Sequence, residues 1–295
     1  MPTRTRERPD AAPPGHVRLR LVVAYDGSAY VGWQLQPEGV SVQLRLEEAL
    51  GRLFTPAPRV CSSSRTDTGV HAHGMVVHFD VAASQWRMTA RKLVLAVNAW
   101  LPEDVRVVHA ARAAASFHAR FDAAGKQYRY TVWNHPAHNP LLRSQAWHVP
   151  KPLDLPAMRR AAAALVGRRD FRAFSATPGY PRENTVRNLS RCSVLRSGPR
   201  LTFVIEADGF LYKMCRGIVG TLVQVGEGRF PAEHVAHLLE RRDRSLSGMI
   251  APACGLALHK VWYRPPSKRE SRPTDAADPS APNPDVASTS SMDDE

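Results

Sequence analysis

The chain has 295 residues, 43% of them hydrophobic, with a formal net charge of +13 and a pI near 10.2. That length allows one large or two modest domains with packed cores, and no apolar run approaches the roughly 20 residues of a membrane span. Such basicity points to a polyanionic partner, nucleic acid first, and it belongs to the middle of the chain: residues 1–15 net +1 and residues 264–295 net −3, which leaves +15 on residues 16–263.

Residues 264–295 hold six prolines and almost no large apolar side chain, so they cannot bury enough surface to offset the entropy of ordering. Disordered tails are expected at 1–15 and 264–295. The first strand is "VRLRLVVAY", with Val17, Leu19, Leu21 and Val23 on one face and Arg18 and Arg20 on the other. Ser41 is a good N-cap for a helix with Leu46, Ala49, Leu50, Leu53 and Phe54 at helical spacing. A short strand around 58–63 and a strand over 74–81 follow. Thr89 caps a second helix, with Leu93, Ala96, Val97 and Trp100 as its stripe, and "DVRVVHA" is the next strand.

The second half repeats the order. "KQYRYTVW" alternates Tyr128, Tyr130 and Val132 against Arg129, Thr131 and Trp133. A helix is expected over 154–166. "VRNLSRCSVLR" and "RLTFVIEAD" form a hairpin around Ser197-Gly198-Pro199. "FLYKMCRGIVGTLVQVG" reads as an apolar helix, Pro231 opens another, and "GLALHKVWY" closes as a strand. Twice over, with one extra helix in the second half, the order is β-α-β-β-α-β, the split βαβ arrangement. The expected class is α+β: two ferredoxin-like units, 16–113 and 114–263, joined through their sheets around a central basic cleft. Fold alone names no function.

The four cysteines, at 61, 192, 215 and 254, have neither zinc-knuckle nor redox-motif spacing, and the chain is too cysteine-poor for a disulfide framework. The N-terminus has arginines but no apolar segment of a secretory signal. A cytoplasmic protein fits these features, and an organelle-targeted one remains open.

The segment with the densest chemistry is "SSRTDTGVHAHG", residues 62–73. Three readings stand. Asp67 before Thr68-Gly69 suits an Asx-type turn whose carboxylate only caps backbone N–H groups. His71 and His73 share a strand face and could ligate a metal, although no further ligand set converges with them. Or Asp67 is a catalytic carboxylate, kept ionised and aimed by an arginine. Arg65 is two residues away. Arg216, among Met214, Cys215, Ile218 and Val219 on the apolar helix, needs an anion if it is buried.

Motifs along the chain bear on these three readings. "SRTDTGVHA" resembles the "GRTDAGVHA" signature of the tRNA pseudouridine synthase A family. "YDGSAYVGWQLQP" (25–37), "FHARFDAAGKQYRYTVWN" (117–134), "DFRAF" (170–174), "TVRNL" (185–189), "GFLYKMCRGIVGTLVQVG" (209–226) and "GLALHKVWY" (255–263) resemble its other segments, in family order. The resemblance covers about 16–263 and implies the following. Asp67 corresponds to the catalytic aspartate, Arg65 to the motif arginine that helps displace the target base, and Tyr128 to the tyrosine that stacks on uracil. Arg216 corresponds to the arginine that pairs with the aspartate, and Leu256 to an apolar residue lining the pocket. The implied reaction is uridine to pseudouridine in the tRNA anticodon stem-loop, on its 3′ side. The implied enzyme is a homodimer crossed by tRNA and needs no cofactor or metal.

Alternatives are a synthase acting on another RNA and a non-catalytic RNA-binding protein on the same scaffold. The sequence departs from the motif at Ser64, Thr68, Cys215 and Gly217. These departures touch loop geometry and substrate range and remove no functional group.

Overall fold

The computed structural model describes residues 11–176 and 184–263. Of the expected tails, 1–10 and 264–295 lie outside the described residues, while residues 11–15 are described and the Ala12 N–H donates to the Ala115 carbonyl. Strand β1 (His16–Tyr25) buries Leu19, Leu21 and Val23 on one face, as a period of two requires. Helix α1 (Val42–Gly51) starts where the Ser41 side chain accepts the Leu44 N–H, and it buries Leu46, Ala49 and Leu50. The short β2 (Cys61–Ser62) and the long β3 (His71–Ala82) follow, then α2 (Ala90–Asn98), capped by Thr89 accepting the Lys92 N–H. Strand β4 (Val105–Arg112) ends this half. Trp100 does not join the α2 stripe. The helix stops at Asn98, and the Trp100 ring is 57% exposed beneath the Arg52 guanidinium.

The second half opens with β5 (Ala123–Asn134) and β6 (Trp147–Val149), and continues through α3 (Leu155–Ala164), capped by Asp154, to β7 (Gly167–Asp170). Next comes the hairpin of β8 (Val186–Ser197) and β9 (Arg200–Ala207), its turn at Gly198 with φ +57°. Helices α4 (Met214–Gly226) and α5 (His234–Arg241) and strand β10 (Leu256–Tyr263) complete it. Strands β6 and β7 are short additions that periodicity did not reveal.

The fold is α+β, with one ten-stranded, mostly antiparallel sheet in the order β4-β1-β3-β10-β5-β9-β8-β7; β2 pairs with β3 and β6 with β5. The last strand joins the halves. β10 runs parallel to β3 (Ala257 opposite His71) and antiparallel to β5 (Leu258 opposite Tyr128). Chain positions far apart are thereby brought beside the loop that leads into β3. Among the described residues, no helix is long and apolar enough to cross a membrane.

On the reverse face of the first half, Arg18 is 5% exposed. It holds both carboxylate oxygens of Asp80 at 2.8 Å and donates to the Phe117 carbonyl at 2.8 Å. Ala119 N–H donates to His78 Nδ1 at 3.2 Å. The segment 114–122 thus lies over this face, fastened through a charge pair of buried Arg18 and part-buried Asp80. Removing one member of such a pair strands the other. The substitution Arg18→Ala is expected to destabilise by about 3 kcal/mol in urea unfolding, and the double variant Arg18→Ala/Asp80→Ala by less than the sum of the two single changes.

Candidate active site

Asp67 belongs to the loop 63–70 between β2 and β3, and this loop is tied down at nearly every residue. Ser63 N–H donates to the Val76 carbonyl, and the Lys126 ammonium on β5 donates to the Ser63 carbonyl at 2.7 Å. Burial, with Arg120 and Arg187 nearby, brings that ammonium down to about 8. Thr66 Oγ1 meets the Tyr25 hydroxyl at 2.8 Å, and its carbonyl accepts the Trp33 N–H at 3.1 Å. A turn closes as Val70 N–H donates to the Asp67 carbonyl at 3.1 Å. The loop "YDGSAYVGWQ" packs against it so closely that Gly32, at φ +105°, has no room for a side chain: a Cβ there would lie 2.6 Å from the Thr66 carbonyl oxygen. Thr68 is exposed and donates its hydroxyl to the Val31 carbonyl at 3.1 Å, away from the acid. Its β-branch is accommodated at the surface.

Arg216 comes to this loop from the first turn of α4. Its Nη1 lies 3.4 Å from Asp67 Oδ2, with side-chain exposures of 15% and 21%. The guanidinium is aimed from behind, its Nε donating to the Ala251 carbonyl at 2.7 Å while the Ala251 N–H donates to the Arg216 carbonyl. That reciprocal contact needs the 249–251 segment to lie on the helix backbone. Gly220 permits it, since a Cβ there would fall 1.9 Å from the Met249 carbonyl oxygen. At 3.4 Å and through one nitrogen, the pair is looser than a bidentate clamp. Among the described residues nothing hydrogen-bonds to Asp67 Oδ1, so one oxygen remains open to a reactant.

Burial raises the Asp67 pKa above the ordinary carboxylate value, and the opposing influence of Arg216 and Lys213 does not cancel it. An acid raised in this way favours the folded state below its unfolded pKa, and loses that contribution as pH rises through the folded pKa. The site thus holds an anion at some expense to stability, a feature more typical of functional carboxylates than of surface turns.

The other residues singled out from sequence fall around this pair in different ways. Tyr128 is 7% exposed, and its ring meets Phe210 edge-on at 4.9 Å. Its phenol is pushed up by burial and Cys215, against the pull of a hydrogen bond with Ser64, whose loop position is three residues before Asp67. Leu256, 5% exposed, begins β10 directly before the pairing of Ala257 with His71. Arg65 is exposed and, among the described residues, has no ion-pair partner. Sequence reasoning gave no role at the site to Lys126, Ser64 and Lys213, Ser64 being noted only as a departure from the motif. The first two act through backbone carbonyl and ring contacts that no spacing encodes. Lys213 had a visible signal, a cation three residues before Arg216, and it adopts φ +57° at the start of α4.

The histidines are occupied with structure. His71 Nδ1 accepts the Gly27 N–H at 3.0 Å, and its Nε2 donates to the Cys254 carbonyl at 3.0 Å. His73 packs edge-on against His259 at 5.5 Å. Both His71 nitrogens are committed, so the His71–His73 pair does not form a metal centre. Among the described residues, Cys61, His78 and His118 bring possible ligand atoms within 4.8 Å of one another. Yet Nδ1 of His78 and of His118 each accepts backbone N–H groups. A metal-ligating imidazole uses one nitrogen for the metal and donates its N–H from the other. The chemistry of this donor set does not fit.

Comparison with known proteins places the chain in a family. Residues 161–264 match a family model described as tRNA pseudouridine synthase. A protein of Pelobacter propionicus named tRNA pseudouridine synthase A is 44% identical over 245 residues, 83% of this chain and 99% of the relative. A Myxococcus xanthus protein of that name is 44% identical over 262 residues, 88% of this chain and 97% of the relative. One from Geobacter sulfurreducens is 43% identical over 245 residues, 83% and 99% of the two chains. With identity of this order over nearly the full length of several relatives, the chain belongs to the tRNA pseudouridine synthase A family.

Proposed function

We propose that the protein isomerises uridine to pseudouridine in the anticodon stem-loop of tRNA, on its 3′ side, with Asp67 as the catalytic carboxylate. The observation that carries this reading is the state of Asp67: partly buried, paired through Oδ2 to Arg216, and open at Oδ1. The reaction breaks the C1′–N1 bond, turns the uracil, and joins C5 to C1′, with the C5 hydrogen leaving as a proton and N1 gaining one. No electrons are transferred to or from an external partner, so the chain's own residues suffice. A carboxylate beside the sugar can stabilise or trap a cationic centre, or remove a neighbouring proton. Each of these requires the ionised form that Arg216 favours.

The base must leave its stack before chemistry. The free guanidinium of Arg65, exposed two residues before Asp67, suits displacement of the base. The buried ring of Tyr128 forms the platform beneath it, and Leu256 walls the pocket. Residues 16–113 and 114–263 act as two ferredoxin-like units with the site between them. The strand orders β4-β1-β3-β2 and β10-β5-β9-β8 favour that division. The +15 charge of residues 16–263 serves the phosphates. A homodimer working in the cytoplasm completes the reading.

Release of tritium from tRNA carrying 5-³H-uridine separates enzyme from binding protein. Wild type is expected to release tritium, Asp67→Asn to lose about 10³-fold or more in rate, and both to bind tRNA. Equal release by the two proteins would remove Asp67 from the chemistry, and tRNA binding without release by wild type would favour the non-catalytic reading.

The pKa direction makes a second test. Because the ionised carboxylate is the active form, kcat/KM should fall on the acid side with a midpoint above 3.8. In Arg216→Met that midpoint should move to higher pH, since the cation opposing the burial effect is gone. A midpoint unmoved by Arg216→Met would mean that another group controls the limb.

A further inference from the structure

Neighbouring residues of a strand point to opposite faces. Tyr128 therefore faces the core and the site, and Arg129 faces away from both. On that reverse side the first half of the sheet is covered by residues 114–122, through Arg18 and His78. The strands β5, β9 and β8 have no such cover among the described residues. They form instead an open hollow of about 530 Å³ whose lining includes Arg129, Arg191, Arg196, Arg200, Trp133 and Leu195, and no acidic residue.

The charges are largely uncompensated. Arg191 lies 3.6 Å from Glu206. Arg129 gives its Nε to the Gln127 side chain and Arg196 its Nε to the Gly198 carbonyl. Among the described residues no carboxylate pairs with Arg129, Arg196 or Arg200. The field is felt by neighbours: the imidazoles of His73 and His259 are held below their ordinary value by burial and, among the charges around them, by Arg129.

The register gives the hollow a length. Arg200 lies opposite Trp133 and Val204 opposite Arg129, so the arginines at the two ends are four residues apart along the strand, roughly 13 Å. That span exceeds a single anion and suits a run of phosphates, with Leu195, opposite Thr202, between the two ends and Trp133 beside Arg200 as apolar floor. Isologous pairing of two such faces would bring like charges together, which favours a polyanion as the occupant.

We propose that the open face of β5, β9 and β8 is a second contact for the phosphate backbone of tRNA, remote from Asp67. The inference rests on tRNA being the substrate. Lying across the sheet from Tyr128, the hollow cannot reach the uridine under reaction, so its contribution is to affinity.

The test compares wild type with Arg129→Glu/Arg200→Glu. The measurements are the Kd for full-length tRNA at several salt concentrations, KM and kcat from tritium release, and oligomeric state and thermal midpoint. The expected result is a Kd weakened by about tenfold or more and a log Kd against log salt slope reduced by roughly 1.5 to 2. The loss should fall on KM rather than kcat, with oligomeric state and thermal midpoint unchanged. An unchanged Kd and salt slope would overturn the proposal. So would a loss of affinity that follows a change of oligomeric state, because the face would then be a protein interface. Absence of tritium release from wild type would instead defeat the catalytic reading, and the binding comparison would still report on this surface.

Discussion

A carboxylate withdrawn from water needs a cation, and the cation nearest Asp67 comes from 149 residues further along the chain. That pairing constrains much of the molecule. It needs α4 to approach the loop before β3, and the sheet secures this by placing β10 between β3 and β5. It needs the guanidinium aimed, which falls to Ala251, held against the helix where Gly220 leaves room. The balance is deliberately incomplete. Burial still outweighs Arg216 and Lys213, and the single 3.4 Å contact leaves Oδ1 unengaged among the described residues. A bidentate clamp would fix the anion more firmly and close it to a reactant.

The loop that carries the acid is arranged in advance. Tyr25, Trp33, Val31 and Lys126 each hold a group of residues 63–68. Three of these come from the first half of the chain and one from the second, so both halves fix the same backbone. Such bracing limits the motion of the carboxylate before substrate arrives, the kind of preorganisation that lets positioning lower a barrier. His71, next to the turn, does the same between Gly27 and Cys254. A residue that resembles a metal ligand in sequence is here a strut between two loops.

What could be read in the sequence was whatever local chemistry dictates. Ser41 and Thr89 cap helices because their side chains satisfy nearby N–H groups. The β8–β9 hairpin follows from Gly198, and the need of Arg216 for an anion follows from its apolar neighbours. Other features depended on tertiary contacts. Arg18 sits in an alternating strand that any periodicity assigns to the polar face, yet 114–122 covers it. Trp100 has the right spacing for the α2 stripe, but the helix ends two residues earlier. Thr68 could not be placed from its motif because the outcome depended on which way its side chain turned. The grip of Lys126 on a carbonyl 63 residues away has no sequence signature at all.

Charge is arranged differently on the two faces of the same sheet. On one face burial raises the pKa of one acid against the pull of two cations, while on the other four arginines line an open hollow whose lining includes no acid. The central claim, that this loop delivers the Asp67 carboxylate to the sugar of the target uridine, is tested most directly by a structure of Asp67→Asn bound to substrate tRNA. The account requires an extruded uridine against Tyr128, with its C1′ beside the side chain at position 67. A uridine held in the helix stack, or seated away from that side chain, would contradict it.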